Sequence, residues 1–165
     1  MELMDSVGSR QRAGQLLHQA LKEQRAKRYD AAAALYRDSI AAFPTAEAHT
    51  FLGWTYSFMG RLDEAIEQCR RAIEVDPDFG NPYNDIGSYL MKQGKLDEAI
   101  HWLERAKTAP RYEPRHFPYL NLARLYARMG QMDKARREFA QARFLQQELF
   151  EGDPSPDAGT QDAVN

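Results

Sequence analysis

The pentapeptide LDEAI occupies residues 62–66 and returns, unchanged, at residues 96–100. A glycine stands two positions before each copy, at Gly60 and at Gly94. Identical short segments at a fixed distance are the mark of a chain built from tandem structural units of 20 to 50 residues. The repeat therefore sets the organisation of the chain, and it extends well beyond these five residues.

Four repeat units can be aligned. The segment that starts at residue 46 matches the one that starts at residue 80, and a third copy starts at residue 116. A weaker copy precedes them, and the second half of that copy is better kept than its first half. We predict units at residues 13–45, 46–79, 80–115 and 116–150, an N-terminal lead of residues 1–12 and a disordered acidic tail of residues 151–165.

Each unit is predicted to form two helices. Apolar residues recur at spacings of three and four in both halves, and a glycine follows the first helix in the last three units. Asn81 followed by Pro82 is typical of a helix cap and a first helical residue. The predicted helices cover residues 9–26, 30–42, 46–59, 63–75, 82–93, 97–108, 117–129 and 133–149.

The spacing of large and small residues within a unit resembles the tetratricopeptide repeat pattern W-x2-L-G-x2-Y, A-x3-F and P. The matching residues are His49, Leu52, Gly53, Tyr56, Ala65, Cys69 and Pro77 in the second unit; Tyr83, Ile86, Gly87, Leu90, Ala99 and Leu103, with Pro110 one place early, in the third; and Tyr119, Leu122, Ala123, Tyr126, Ala135 and Phe139, without a proline, in the fourth. The resemblance implies an all-α, right-handed superhelical stack of antiparallel helix pairs, whose first helices line a concave groove.

Residues 49–60, HTFLGWTYSFMG, carry two apolar stripes instead of one. One stripe supplies the repeat's own core, and the second consists of Phe51, Trp54 and Phe58. The resemblance places the second stripe in the groove, where aromatic side chains could anchor a bound peptide. Packing between neighbouring repeats is the other explanation, and the sequence leaves both open. The remaining predicted groove residues are Asn84, Asp85, Ser88, Asn121, Arg124 and Arg128.

The predicted function is that of a non-enzymatic scaffold that binds a protein or peptide segment in its groove. The groove positions lack the Lys and Asn set with which some family members clamp acidic chaperone tails. A structural subunit that uses the repeat ends and the convex surface is the alternative, and an RNA-binding helical repeat is a weaker one. The long last helix bears Phe139, Leu145 and Leu149 without a cap after it, which raises self-association as a further expectation.

Other functional classes find little support in the residues. The four histidines occupy different repeat positions, the acidic pairs recur at helix starts, and the one cysteine, Cys69, falls at a core position. We therefore expect no cofactor, no metal and no catalytic site. A net charge of −2 gives no general attraction to nucleic acid or to an anionic membrane. The N-terminus does not resemble a signal peptide, and we predict a cytoplasmic protein.

Overall fold

The computed structural model describes residues 2–151, and within them the chain forms eight α-helices. Among the same residues the only β-type pairing is an isolated parallel bridge between Phe79 and Arg111. The all-α fold class predicted from the repeats is thereby confirmed. The helices are α1 (Glu2–Arg25), α2 (Tyr29–Ala42), α3 (Ala46–Phe58), α4 (Leu62–Val75), α5 (Asn81–Lys92), α6 (Leu96–Thr108), α7 (His116–Arg128) and α8 (Met132–Glu151).

Consecutive helices pair and the pairs stack in chain order. Helix α1 packs on α2, α3 on α4, α5 on α6 and α7 on α8, and each second helix also touches the first helix of the next pair. The first helices of neighbouring pairs touch as well, α3 with α5 and α5 with α7. We call α1, α3, α5 and α7 the inner helices and the other four the outer helices. In stacks of this kind the first helices line the concave side, and we use the word groove for the free faces of the inner helices.

Glycine ends the inner helix in three of the four pairs. Gly60, Gly94 and Gly130 adopt φ angles of +76°, +78° and +75°, in the left-handed region that glycine enters without a steric penalty. Lys27 holds the corresponding position of the first pair at φ +59°. The prediction that these glycines terminate the helices is confirmed, and the first pair makes the same turn with a less suitable residue.

A second set of glycines lets the two helices of a pair approach closely. A Cβ atom added to Gly87 would stand 2.5 Å from Cγ of Leu103 on the outer helix, and one added to Gly53 would stand 3.1 Å from the carbonyl oxygen of Ala65. The space that a side chain would need is already filled by the partner helix. The small residue in the repeat pattern is thus a packing requirement, as the sequence indicated.

The structure departs from the predicted boundaries at two places. Helix α1 begins at Glu2 and not near residue 9, so most of the predicted lead is helical. The segment lacks proline, and adding one residue to an existing helix costs little free energy because the unfavourable nucleation step is already complete. The predicted cap at Asn81 is wrong, because Gly80 caps α5 and Asn81 is its first residue. The backbone of Gly80 donates to the carbonyl of Arg111 at 2.8 Å, which fixes that start.

The predicted disordered tail lies outside the described residues apart from Glu151, which ends α8. Between residues 2 and 151, no helix combines the length and the apolar character needed to cross a bilayer.

Candidate functional site

The two stripes of α3 have separate surroundings. His49, Leu52 and Tyr56 are buried in the stack, and Nδ1 of His49 lies 2.8 Å from Oε1 of Gln68 on the paired outer helix. The histidine that replaces the usual core aromatic is therefore a packed residue with a hydrogen-bond partner, as predicted from its repeat position. The first stripe belongs to the core.

Phe51 and Trp54, in the second stripe, are half-buried and pack against the edge of the same core. The Phe51 ring lies 6.1 Å from the ring of Tyr36 on α2 and 5.1 Å from that of Trp54, centroid to centroid. Tyr36 belongs to the preceding pair, so Phe51 helps to join the first and second repeats. These two rings are therefore partly packed by neighbouring repeats and partly open to solvent, and their role as peptide anchors stays a prediction.

Trp54 also joins the second repeat to the third. Its indole Nε1 donates a hydrogen bond to the carboxylate of Asp85 on α5. Burial raises the pKa of Asp85 from its ordinary value of 3.8 to about 7, against the opposing influence of Trp54, Asn84 and the positive charge of Lys92. An aromatic donor and a partly buried acid, which the sequence suggested as separate groove contacts, form one bridge between inner helices.

The same kind of bridge connects the third repeat to the fourth. Nδ2 of Asn121 on α7 donates to Oδ1 of Asn84 on α5 at 2.9 Å, and Nη1 of Arg128 donates to the carbonyl oxygen of Met91 at 2.9 Å. Arg124 reaches back to Oδ1 of Asn121 at 3.4 Å. Together with Trp54 and Asp85, six of the predicted groove residues therefore hydrogen-bond across or along the inner helices. Sequence reasoning missed this pairing because no spacing rule gives the contacts between adjacent repeats.

One row of groove side chains is exposed to solvent. Phe58, Lys92 and Arg128 occupy the same repeat position, the last residue of α3, α5 and α7 respectively. All three side chains are exposed. Phe58 is 60% exposed although one face of its ring stacks on Tyr29, at 5.4 Å between centroids. We call Phe58, Lys92 and Arg128 the groove row. Ser88, one helical turn before Lys92, is partly buried.

The groove row has an aromatic side chain at one end and two cationic side chains at the other.

Cys69, the chain's one thiol, is buried and free, and burial raises its pKa, which makes the reactive thiolate scarce. Among residues 2–151, no three His, Cys, Asp or Glu side chains come together in a group that could hold a metal ion.

Comparison with known families identifies the repeat. Family models described as tetratricopeptide repeat match residues 46–79, 83–108 and 118–142, which together make up more than half of the chain. The matched segments coincide with the second, third and fourth helix pairs.

Known proteins and structures agree with that match. The chain is 31% identical over 90 residues to the small glutamine-rich tetratricopeptide repeat-containing protein 2 of Mycosarcoma maydis, a match that covers 54% of this chain and 26% of that protein. The pilF structure from Pseudomonas aeruginosa superposes with a TM-score of 0.78 at 21% identity, covering 86% of this chain and 64% of the other. MamA superposes with a TM-score of 0.73 at 20% identity, covering 84% and 81% of the two chains. The chain belongs to the tetratricopeptide repeat family.

Proposed function

We propose that the chain binds an extended segment of another protein along its concave groove, through an apolar side chain at one end and carboxylates at the other. Tetratricopeptide repeats serve in general as protein-interaction scaffolds, and the chain's architecture is of that kind. The groove row carries the proposal, because an exposed aromatic ring and two exposed cations stand at one repeat position on consecutive inner helices. Carboxylates are the natural partners of such cations.

The other predicted groove residues support this role in two ways. Phe51 and Trp54 extend the apolar surface beside Phe58, and exposed aromatic area is an effective anchor at low entropic cost. Asn84, Asp85 and Asn121 direct their polar atoms at one another or at Trp54. They hold the inner helices in place, which keeps the groove ready for a ligand without a large ordering cost on binding.

Charge adds specificity to the proposed site. Arg124 is exposed one turn before Arg128, so the fourth repeat presents two guanidinium groups to the groove. Asp85, a groove acid within the influence of the Lys92 charge, is held partly neutral by its raised pKa. The groove therefore favours acidic segments over basic ones, and binding should weaken as salt screens these partly exposed charges.

A peptide-display selection tests the proposal without knowledge of the natural partner. Immobilised protein should enrich peptides that combine a large apolar residue with Asp or Glu, and anisotropy titrations of the enriched peptides should show binding that falls with salt. Phe58→Ala should weaken binding by about tenfold, the loss expected when an interface anchor is truncated. Arg124→Glu should weaken it as well.

Phe144→Ala is the matched control, since Phe144 is an equally exposed phenylalanine on the outer helix α8. Enriched peptides that bind the Phe58 and Phe144 variants equally well, or that carry basic side chains, would refute binding in the groove.

We keep the cytoplasm as the predicted compartment, with which the buried free thiol of Cys69 agrees.

A further inference from the structure

Each outer helix carries a stripe of four side chains with spacings of four, three and four residues, which we call the outer stripe. At the first three helix pairs the outer helix packs on the inner helix that follows, and ring contacts of the stripe are seen at the first and third of these junctions. Tyr29 stacks on Phe58, Tyr36 lies 6.1 Å from Phe51, and the ammonium of Lys107 lies 4.6 Å from the ring centre of Tyr119. The four stripes are Tyr29, Ala33, Tyr36 and Ile40; Leu62, Ile66, Cys69 and Ile73; Leu96, Ile100, Leu103 and Lys107; and Met132, Arg136, Phe139 and Arg143.

The fourth stripe is uncovered. The third residue of the stripe is fully buried in the first three pairs, as Tyr36, Cys69 and Leu103, whereas Phe139 at the same position is 51% exposed. Met132 is half exposed too. The repeat pattern therefore continues to the last helix with the side chains that a following helix would bury, although the described chain has no such helix beyond α8.

Charge marks this last stripe as different from the others. Arg136 and Arg143 stand at stripe positions that hold isoleucine in the second pair, and both are exposed. Arg136 has an ion pair with Asp133 at 3.2 Å on the surface, where such a pair contributes little. The uncovered surface thus alternates two apolar side chains, Met132 and Phe139, with two guanidinium groups, those of Arg136 and Arg143.

A second copy of the chain suits this surface poorly. A symmetric contact would bring Arg136 and Arg143 of both copies into one interface, where like charges repel. A head-to-tail contact would continue the stack with α1, which presents His18 and Arg25 at the repeat positions of Phe51 and Phe58. Arg25 would then meet Met132, one helical turn from Arg136, and would add a third cation to the surface, while His18 would meet Phe139.

We propose that the fourth outer stripe binds an amphipathic helix of a partner protein, one that carries acidic side chains beside an apolar face. The occupant is a helix because an inner helix packs on the preceding outer helix at all three junctions inside the molecule. Its apolar face would cover Met132 and Phe139, and its carboxylates would pair with Arg136 and Arg143. This surface is separate from the groove, so the inference is independent of the proposed groove function.

Two synthetic peptides of about 20 residues, long enough to hold helical structure, provide the probes. They share a leucine and alanine stripe and differ in having glutamate or lysine at every flanking position. Fluorescence anisotropy with the full chain should show the glutamate peptide binding at least about tenfold more tightly than the lysine peptide. Phe139→Ser should remove most of that binding, and Phe144→Ser, a change of the same type on another side of α8, should leave it intact.

Charge reversal gives a test that does not depend on the apolar change. Arg136→Glu combined with Arg143→Glu alters only exposed side chains and should transfer the preference to the lysine peptide. Phe58→Ala should have no effect, which separates this surface from the groove. Equal binding of the two peptides, or equal losses for Phe139→Ser and Phe144→Ser, would overturn the proposal. So would sedimentation that shows a wild-type dimer and a Phe139→Ser monomer, since the occupant would then be a second copy.

Discussion

Replacing Asp85 by Asn should make the protein more stable at neutral and alkaline pH. Asp85 lies between inner helices with its carboxylate bonded to Trp54, and burial raises its pKa to about 7. The unfolded chain releases this proton near pH 4, whereas the folded chain keeps it until about pH 7. The folded state therefore binds more protons in that range, and the free energy of unfolding falls as pH rises through it.

The structure sets the size of the effect. A rise in pKa from 3.8 to about 7 corresponds to about 4 kcal/mol at about 1.4 kcal/mol for each factor of ten. The side chain keeps a partial opening to solvent, which screens its charge and reduces the expected effect to about 2–4 kcal/mol. Asn preserves an oxygen acceptor for the Trp54 indole and has no proton to lose, so the variant should lack this contribution to the pH dependence.

Urea unfolding followed by circular dichroism at pH 4.5, 6 and 8 measures the difference. The variant should exceed wild type by only about 1 kcal/mol at the lowest pH, where the unfolded carboxyl is already largely ionised, and by the full amount at the highest. Asp97→Asn, at an exposed acid in the first turn of α6, is the control and should run parallel to wild type. If the free energy of unfolding changed with pH in the same way for Asp85→Asn and wild type, the reasoning would be refuted. Ionisation of Asp85 would then carry no free-energy cost in the folded protein.

Three further substitutions test the packing. Gly87→Ala should lower the free energy of unfolding by about 1–3 kcal/mol through overpacking, because the new methyl group would meet Leu103 at 2.5 Å; an unchanged urea midpoint would mean that the two helices separate easily. Lys27→Gly should raise the free energy of unfolding by about 0.5–1 kcal/mol, since Lys27 has a φ of +59°, and a lower thermal midpoint would contradict that account. Trp54→Phe should cost about 1–3 kcal/mol at pH 8 by leaving Asp85 without its indole donor, and it should cost less at pH 4.5, where Asp85 is protonated; equal losses at both pH values would assign the effect to packing alone.

Much of the fold could be predicted from local pattern. The glycines that end the inner helices, and the small residues that let paired helices approach, recur at a fixed period, so each copy supports the interpretation of the others. The start of α1 was missed because the polar run at residues 8–12 separates Leu3, Met4 and Val7 from the apolar pattern of the rest of the helix, although no proline in this segment stops a helix. The cap of α5 was missed because Gly80 is held by Arg111, a residue from a distant loop.

The candidate site was harder to predict, for a physical reason. The repeat position of Trp54, Asp85 and Asn121 indicated the side of the helix on which each lies, and the structure places them along the inner helices. Their partners belong to adjacent repeats, and the distance between repeats depends on how two surfaces pack. An aromatic stripe at groove positions can therefore be recognised in sequence. Which of its rings pack against neighbouring repeats, as Phe51 and Trp54 do, and which stay exposed, as Phe58 does, depends on the three-dimensional contacts.

The third and fourth units start 36 residues apart, two more than the preceding interval, and the added length lies near Arg111. That loop lies against the loop between the second and third pairs, with Arg111 N–H donating to the carbonyl of Asp78 at 3.0 Å and the Arg111 carbonyl accepting from Gly80. The Arg111 guanidinium also pairs with Asp76. The two extra residues thus belong to a loop that is hydrogen-bonded and ion-paired to the loop between the second and third helix pairs. Shortening this loop to the regular 34-residue interval would remove the Arg111 hydrogen bonds and ion pair. A more regular repeat sequence should therefore make the contact between these two loops less stable.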